Sequence, residues 1–294
     1  MSTKPFIKWA GGKGQLLNDI RASYPTELGG TINKYAEPFI GGGAVLFDIL
    51  STYNLKEAYI SDINVDLINV YKVVRDEVNQ LIELLSKYQD EYIPLETDDR
   101  KIYYNTKRNI YNEIEISPDV INIEKASLFI FLNKTCFNGL YRVNSSGLFN
   151  VPIGSYKKPC ICDKYNLLNV SSALQNVIIH CGSYKDCESF IDENTFIYID
   201  PPYRPISKTS SFTSYTKFKF EDDEQIELAK FTTKIKSKNA KIMISNSDPK
   251  NTDENDNFFD DLYKEFNIKR VCATRMINSK SSARGKINEL LIVN

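Results

Sequence analysis

Residues 200–203 read Asp-Pro-Pro-Tyr and follow the apolar run Phe196–Ile199. The two prolines fix φ and remove two backbone N–H donors, which leaves nearby carbonyls as acceptors. Asp200 supplies a further acceptor and Tyr203 a flat aromatic face. Two acceptors beside a stacking surface suit a planar heterocycle with an exocyclic NH2 group. The carboxylate and a proline carbonyl can hold both amino hydrogens while the ring stacks on Tyr203. Held this way, the nitrogen lone pair is drawn out of conjugation and toward an electrophile. A base inside a duplex cannot reach such a pocket and has to be flipped out. A Pro-Pro turn at a strand end is also ordinary punctuation, so the tetrapeptide acquires meaning only from its company.

That company is two glycine turns. In "AEPFIGGGAVLF" a short apolar stretch runs into Gly41, Gly42 and Gly43 and then into a helical pattern. Such a turn admits a ligand close to the backbone, and the helix N-terminus favours electronegative groups. About twenty residues on, Asp62 closes the next β-rich run, an offset suited to a carboxylate that accepts from ribose hydroxyls. A dinucleotide site wants G-x-G-x-x-G; this run fits a smaller nucleoside as well or better, which disfavours a nicotinamide oxidoreductase. The second turn, "FIKWAGGKGQLL", sets the only tryptophan, Trp9, beside two glycines and Lys13. It reads either as a ligand site or as a plain helix start.

The elements that must position these residues alternate. β-rich runs end at Ala36, Ser61, Cys181, Ile199 and Ser245, and helical patterns lie between several of them. The expected fold is therefore α/β, a parallel sheet with helices on both faces, and "FNIKRVCAT" and "INELLIV" read as a final antiparallel pair at its edge. Between Asp62 and Asn176 the alternation stops. Residues 65–88 read as one long amphipathic helix, "RKIYYNTKRNIYNEI" and "IEKASLFIFLNK" as two more, and residues 135–159 as a polar, aromatic loop. A block of this size points to an inserted helical subdomain at about residues 66–158.

Lysine and arginine number 37 against 38 acids, a formal net charge of −1 that by itself argues against a nucleic-acid partner. The signs are segregated, however. Residues 125–162, 201–220 and 266–288 contain no Asp or Glu but carry Lys125, Lys134, Arg142, Lys157, Lys158, Arg204, Lys208, Lys217, Lys219, Lys269, Arg270, Arg275, Lys280, Arg284 and Lys286. Such a chain can still present one basic face. Six cysteines without zinc-site spacing read as free thiols in a reducing cytoplasm, and the one histidine, His180, as a buried structural residue. No metal is implied. No stretch approaches a membrane span, and the N-terminus lacks a signal-peptide core.

Taken together, "FIKWAGGK", "EPFIGGGA", "SDIN", "FLNKTCFNGLYRVNSSGLFNVPIGSYKKP" and "DPPY" resemble, in order and over nearly the whole chain, the Dam-type (alpha group) S-adenosylmethionine-dependent DNA adenine N6-methyltransferases. Members that methylate adenine in GATC, including those of restriction–modification systems, are the most similar. The resemblance implies a Rossmann-like methyltransferase sheet with residues 1–65 and 159–294 as the catalytic, cofactor-binding domain and residues 66–158 as a mainly helical target-recognition subdomain. It places S-adenosyl-L-methionine against Trp9, Lys13, Phe39, Gly41, Gly43, Asp62 and Ile63. Asp200 serves both cofactor and target amine, and Pro201, Pro202 and Tyr203 complete the target pocket. Lys8, Phe137, Asn138, Leu140, Arg142, Tyr156, Lys157 and Lys158 fall on DNA. Phe137 stands where some relatives have Tyr, and Ser155 where some have Arg, so a hydroxyl and a phosphate contact are missing. The implied partner is double-stranded DNA, with a cognate restriction endonuclease acting separately on the same site, and the implied location is the cytoplasm, for a bacterial or phage-encoded protein associated with the nucleoid through DNA. Adenine in RNA, the amine of cytosine, and a non-catalytic DNA-binding module are the alternatives; an altered Asp200 or Tyr203 would have favoured the last.

Overall fold

A computed structural model describes residues 3–204, 220–274 and 286–294. Its centre is a seven-stranded sheet in the order β3-β2-β1-β4-β5-β7-β6. The strands are β1 (Lys34–Pro38), β2 (Glu57–Asp62), β3 (Val177–Cys181), β4 (Thr195–Ile199), β5 (Lys241–Ser247), β6 (Asn267–Thr274) and β7 (Lys286–Val293). The first five are parallel, and β7 runs antiparallel to both β5 and β6. All seven coincide with the apolar runs read from the sequence. The last pair is not simply appended, because β7 enters between β5 and β6 and leaves β6 as the edge.

β4 is buried along its whole length, as a central parallel strand covered on both faces must be. Its side chains alternate: Phe196 and Tyr198 join one core, Ile197 and Ile199 the other. The second core is closed by α8 (Asp222–Lys236), through Leu228, Phe231 and Ile235, and by the short α9 (Phe258–Leu262), through Phe259. The first is covered by α2 (Ala44–Thr52), α3 (Val65–Asp76) and α7 (Lys164–Leu174). The short α1 (Leu17–Arg21) contributes Ile20 to it.

The stretch read as one long helix is two. α3 ends at Asp76 and α4 (Val78–Tyr92) begins at Val78, because Glu77 leaves helical geometry at φ −130°, ψ 30°. No proline or glycine announces this break. α5 (Thr97–Glu113) and α6 (Ile123–Thr135) follow as expected. α6 is buried nearly all round, with Phe131 ringed by Tyr88, Tyr92, Tyr103 and Tyr104. The helical block therefore shares one continuous apolar cluster with the sheet. His180 corrects the expectation of burial: β3 is the other edge strand, and the imidazole is 42% exposed, bonded to Asp186.

Candidate active site and nucleic-acid interface

β1, β2 and β4 lie side by side and parallel, so their carboxyl ends open on one crevice, the usual ligand position in such sheets. Asp200 leaves the end of β4. Its Oδ1 accepts from Ser245 Oγ (2.7 Å) on β5, which is itself linked to Tyr198 Oη (2.9 Å). Its Oδ2 pairs with Lys13 Nζ at 2.7 Å. The lysine is only 6% exposed, donates to Gly11 O (2.6 Å), and lies 4.7 Å from the centre of the Tyr203 ring. Tyr203 Oη donates to Glu289 Oε2 on β7 (2.7 Å). Burial, together with the nearby Asp200 and Glu289 charges, holds this phenol well above its ordinary pKa. Beneath them, burial raises Glu37 to about 8, assisted by the charge of Asp200 and opposed by the hydrogen bond from Tyr35 Oη (2.6 Å). Burial thus favours the protonated form of Glu37, and the carboxylate that Lys13 pairs with is Asp200.

The prolines are not equivalent. Pro202 O accepts from Gln225 Nε2 (3.0 Å), whose Oε1 accepts from Asn246 Nδ2 (3.1 Å). Gln225, fully buried on α8, thereby fixes the turn. Nothing near residue 200 in the sequence signals Gln225, Ser245 or Glu289, since each arrives from a distant element.

On the neighbouring turn, Gly41 (φ 47°) and Gly43 (φ 70°) have a more local reason than ligand approach. A Cβ on Gly41 would stand 2.7 Å from Trp9 Cδ1, and one on Gly43 2.7 Å from Tyr71 Oη. Trp9 is thus packed against the turn on one side and stacked on Tyr141 on the other (5.6 Å, 23°). Asp62 accepts from Asn64 N (2.9 Å) and Gly41 N (3.4 Å). Burial nevertheless lifts its pKa to about 6, so the carboxylate is under-solvated and suits additional donors. Ile63 beside it is exposed, and Phe39, held at φ 66°, stacks on Tyr184 (5.3 Å, 25°). Tyr184 was not distinguishable from an ordinary aromatic in the sequence.

Residues 135–159 form an irregular loop closed by the bridges Cys136↔Ile153 and Val143↔Phe149. Asn133, buried in α6, ties it to the N-terminal segment: it bonds both Lys8 N and Lys8 O (2.8 Å each) and donates to Gly139 O (3.1 Å). Lys8 Nζ then meets Tyr156, with its Oη at 3.1 Å and the ring centre at 4.3 Å. Phe137 is exposed at the loop tip, Asn138 beside it adopts φ 56°, and Leu140 is half-buried against the core. Arg100 of α5 donates to Tyr156 O and Lys157 O (3.3 and 3.0 Å), leaving the Lys157 and Lys158 side chains exposed. Arg142 is exposed and braced by Asn150. Asp66 on α3 anchors the loop from below, accepting from Tyr111 Oη (2.6 Å) and Tyr141 Oη (3.0 Å). The expected Lys208, Lys217, Lys219, Arg275, Lys280 and Arg284 lie outside the described residues, as does the Lys286 side chain. Among the described residues no acid, cysteine and histidine cluster could hold a metal, and no helix is long and apolar enough to cross a membrane.

A family model described as D12 class N6 adenine-specific DNA methyltransferase matches residues 9–277. The chain is 52% identical to the Type II methyltransferase M.MjaIII of Methanocaldococcus jannaschii, over the full length of both. It is 38% identical to the Type II methyltransferase M1.LlaDCHI of Lactococcus lactis subsp. cremoris, covering 100% of this chain and 96% of that one. It is 33% identical to the DNA adenine methylase of Escherichia coli K12, covering 98% and 94%.

Proposed function

The chain belongs to the D12 class N6 adenine-specific DNA methyltransferases, and from this premise we propose that it uses S-adenosyl-L-methionine to methylate a flipped adenine within GATC in duplex DNA. The observation that carries the proposal is the placement of two sets of residues at the ends of adjacent parallel strands. Asp200 and Tyr203, each braced from behind, follow β4; the Gly41–Gly43 turn and Asp62 follow β1 and β2.

The residues fit the cofactor. Asp62, half-buried and accepting from Asn64 N and Gly41 N, has lone pairs left for ribose hydroxyls, and Trp9, Phe39, Gly41, Gly43 and Ile63 are proposed beside the cofactor, with Lys13 and Asp200 toward the target. When bound, S-adenosylmethionine supplies a methyl group on a positively charged sulfur, open to in-line displacement. The chain's own work is alignment. Tyr203 offers its face to the adenine ring. Asp200 accepts one amine hydrogen and the Pro201 carbonyl is assigned the other, since Pro202 O is engaged by Gln225. Asp200 need not be a strong base, because the amine becomes acidic as it gains the methyl group; the carboxylate orients it and stabilises the developing positive charge. Residues 66–158 are proposed as the target-recognition part. Lys8, Phe137, Asn138, Leu140, Arg142 and Tyr156 face the bases, and Lys157 and Lys158 contact phosphates. A restriction endonuclease cutting the same unmodified site is the proposed counterpart, a reading supported by the Type II names of two relatives.

Incubating the protein with DNA and S-adenosylmethionine, then sequencing with a readout sensitive to N6-methyladenine, tests this. Methylation confined to GATC is expected. Another adenine-containing site would remove the GATC assignment alone, and methyl groups only on cytosine or RNA would remove the rest.

Cofactor affinity should depend on pH through Asp62. Its native pKa is raised to about 6, so the proton is bound below that pH and the ionised form, which accepts from hydroxyls, dominates above it. If only that form binds, affinity weakens about tenfold between about pH 7 and about pH 5. Calorimetric titration should show this slope in the wild type and a weaker, flatter response in Asp62→Asn. A flat wild-type profile would remove Asp62 from the site.

A further inference from the structure

The segment joining Arg142 to Asn150 is a small, closed arch. Asn150 N donates to Arg142 O (3.1 Å), and the bridge Val143↔Phe149 lies just inside. The side chain of Arg142 then folds back on the same partner. Its Nε donates to Asn150 Oδ1 (2.7 Å) and its Nη2 to Asn150 O (3.2 Å). A guanidinium has five N–H donors in a rigid plane. These two bonds use the side edge, Nε and one hydrogen of Nη2. The end of the fork, Nη1 and the remaining Nη2 hydrogen, is not used by these bonds, and the side chain is exposed. That end is the pair of donors that matches O6 and N7 of guanine.

We propose that Asn150 is a positioning residue for base discrimination: it locks the plane of the Arg142 guanidinium so that the fork meets a guanine edge end-on. The proposal rests on the reading of Arg142 as a base-reading residue. An unbraced arginine on an exposed loop would sample many rotamers and would serve phosphates as readily as bases. Bracing by one side chain and one carbonyl of the same residue restricts that choice before DNA arrives, which favours selectivity over affinity. Phe149 beside Asn150 is buried against Tyr111 and Tyr141, so the arch stands on the core and not on loop alone.

The test measures kcat/KM on a duplex carrying the preferred site and on each single-base-pair variant of it, for the wild type, Asn150→Ala, Asn150→Asp, Arg142→Ala and the Asn150→Ala/Arg142→Ala double variant. Asn150→Ala should lower the preference at one G·C pair about tenfold, the size of one well-made guanine contact, and leave the other positions nearly unchanged. Asn150→Asp, which keeps an acceptor for Nε, should restore most of the preference. The double variant should match Arg142→Ala, because Asn150 acts through the arginine. Equal slowing on every duplex, no rescue by Asp, or an effect of Asn150→Ala that persists without Arg142 would each overturn the proposal. If Arg142→Ala leaves every preference intact, the base-reading role itself falls, and this proposal with it. If Arg142→Ala relaxes one pair and Asn150→Ala does not, only the role of Asn150 falls.

Discussion

Asp200→Asn lowers kcat about 10²–10³-fold, the loss expected when one preorganised group facing developing charge is removed. The expectation depends on keeping the rest of the site in place, and the amide does so with its Oδ1 turned to accept from Lys13 and its Nδ2 donating to Ser245 Oγ, which can then donate to Tyr198 Oη. Asp200→Ala is a different experiment. It leaves the buried Lys13 ammonium with Gly11 O and the Tyr203 ring but without a counter-charge, a loss that typically costs about 3–5 kcal/mol. The alanine variant should therefore lose stability as well as turnover. Adding Lys13→Met should return stability without returning turnover. Single-turnover methylation and thermal melting on the three variants separate the two effects. Retention of more than about a tenth of wild-type turnover in Asp200→Asn would assign the carboxylate a supporting role instead.

Tyr203 should divide in the same way between its face and its hydroxyl. Stacking of a base on an aromatic ring is worth about 1–3 kcal/mol, and the ring also faces Lys13. Tyr203→Ala removes all of it, and kcat/KM should fall about a hundredfold. Tyr203→Phe keeps the face but leaves Glu289 without its donor. The phenylalanine should therefore be active but impaired, about tenfold or less, the cost of one hydrogen bond to a charged group. Glu289→Gln, which can still accept from the tyrosine, should sit near the wild type. If Phe and Ala behaved alike, stacking would be the wrong account of this residue.

The chemistry-bearing residues were legible because they are contiguous. A glycine turn, an Asp at a strand end and Asp-Pro-Pro-Tyr each declare themselves within a few letters, and the β-rich runs around them became the strands of the sheet. What braces them was not legible. Ser245, Gln225 and Glu289 reach residues 200–203 from β5, α8 and β7; Asn133 joins Lys8 to Gly139; Asp66 collects two tyrosines from other elements. Each is an ordinary polar residue whose meaning lies in a partner far along the chain. The break at Glu77 escaped because apolar periodicity continues through it. His180 was misread because a β-rich run does not say whether its strand is central or at an edge, and here it is at an edge.

The position of β7 between β5 and β6 imposes a timetable on the enzyme's own synthesis. Glu289 is made 86 residues after Tyr203, its hydrogen-bonding partner. At about 5–20 residues per second that is a delay of roughly 4–17 s. In the second half of it β5, made by then, presents an open edge where β7 will pair, the kind of edge that invites wrong partners. β6 emerges earlier, but in the finished sheet it touches β7 and not β5. A nascent chain that has completed residues 200–203 therefore carries the target-binding residues without their brace, and a ribosome stalled in that interval would display a pocket unable to hold an adenine square to the methyl donor.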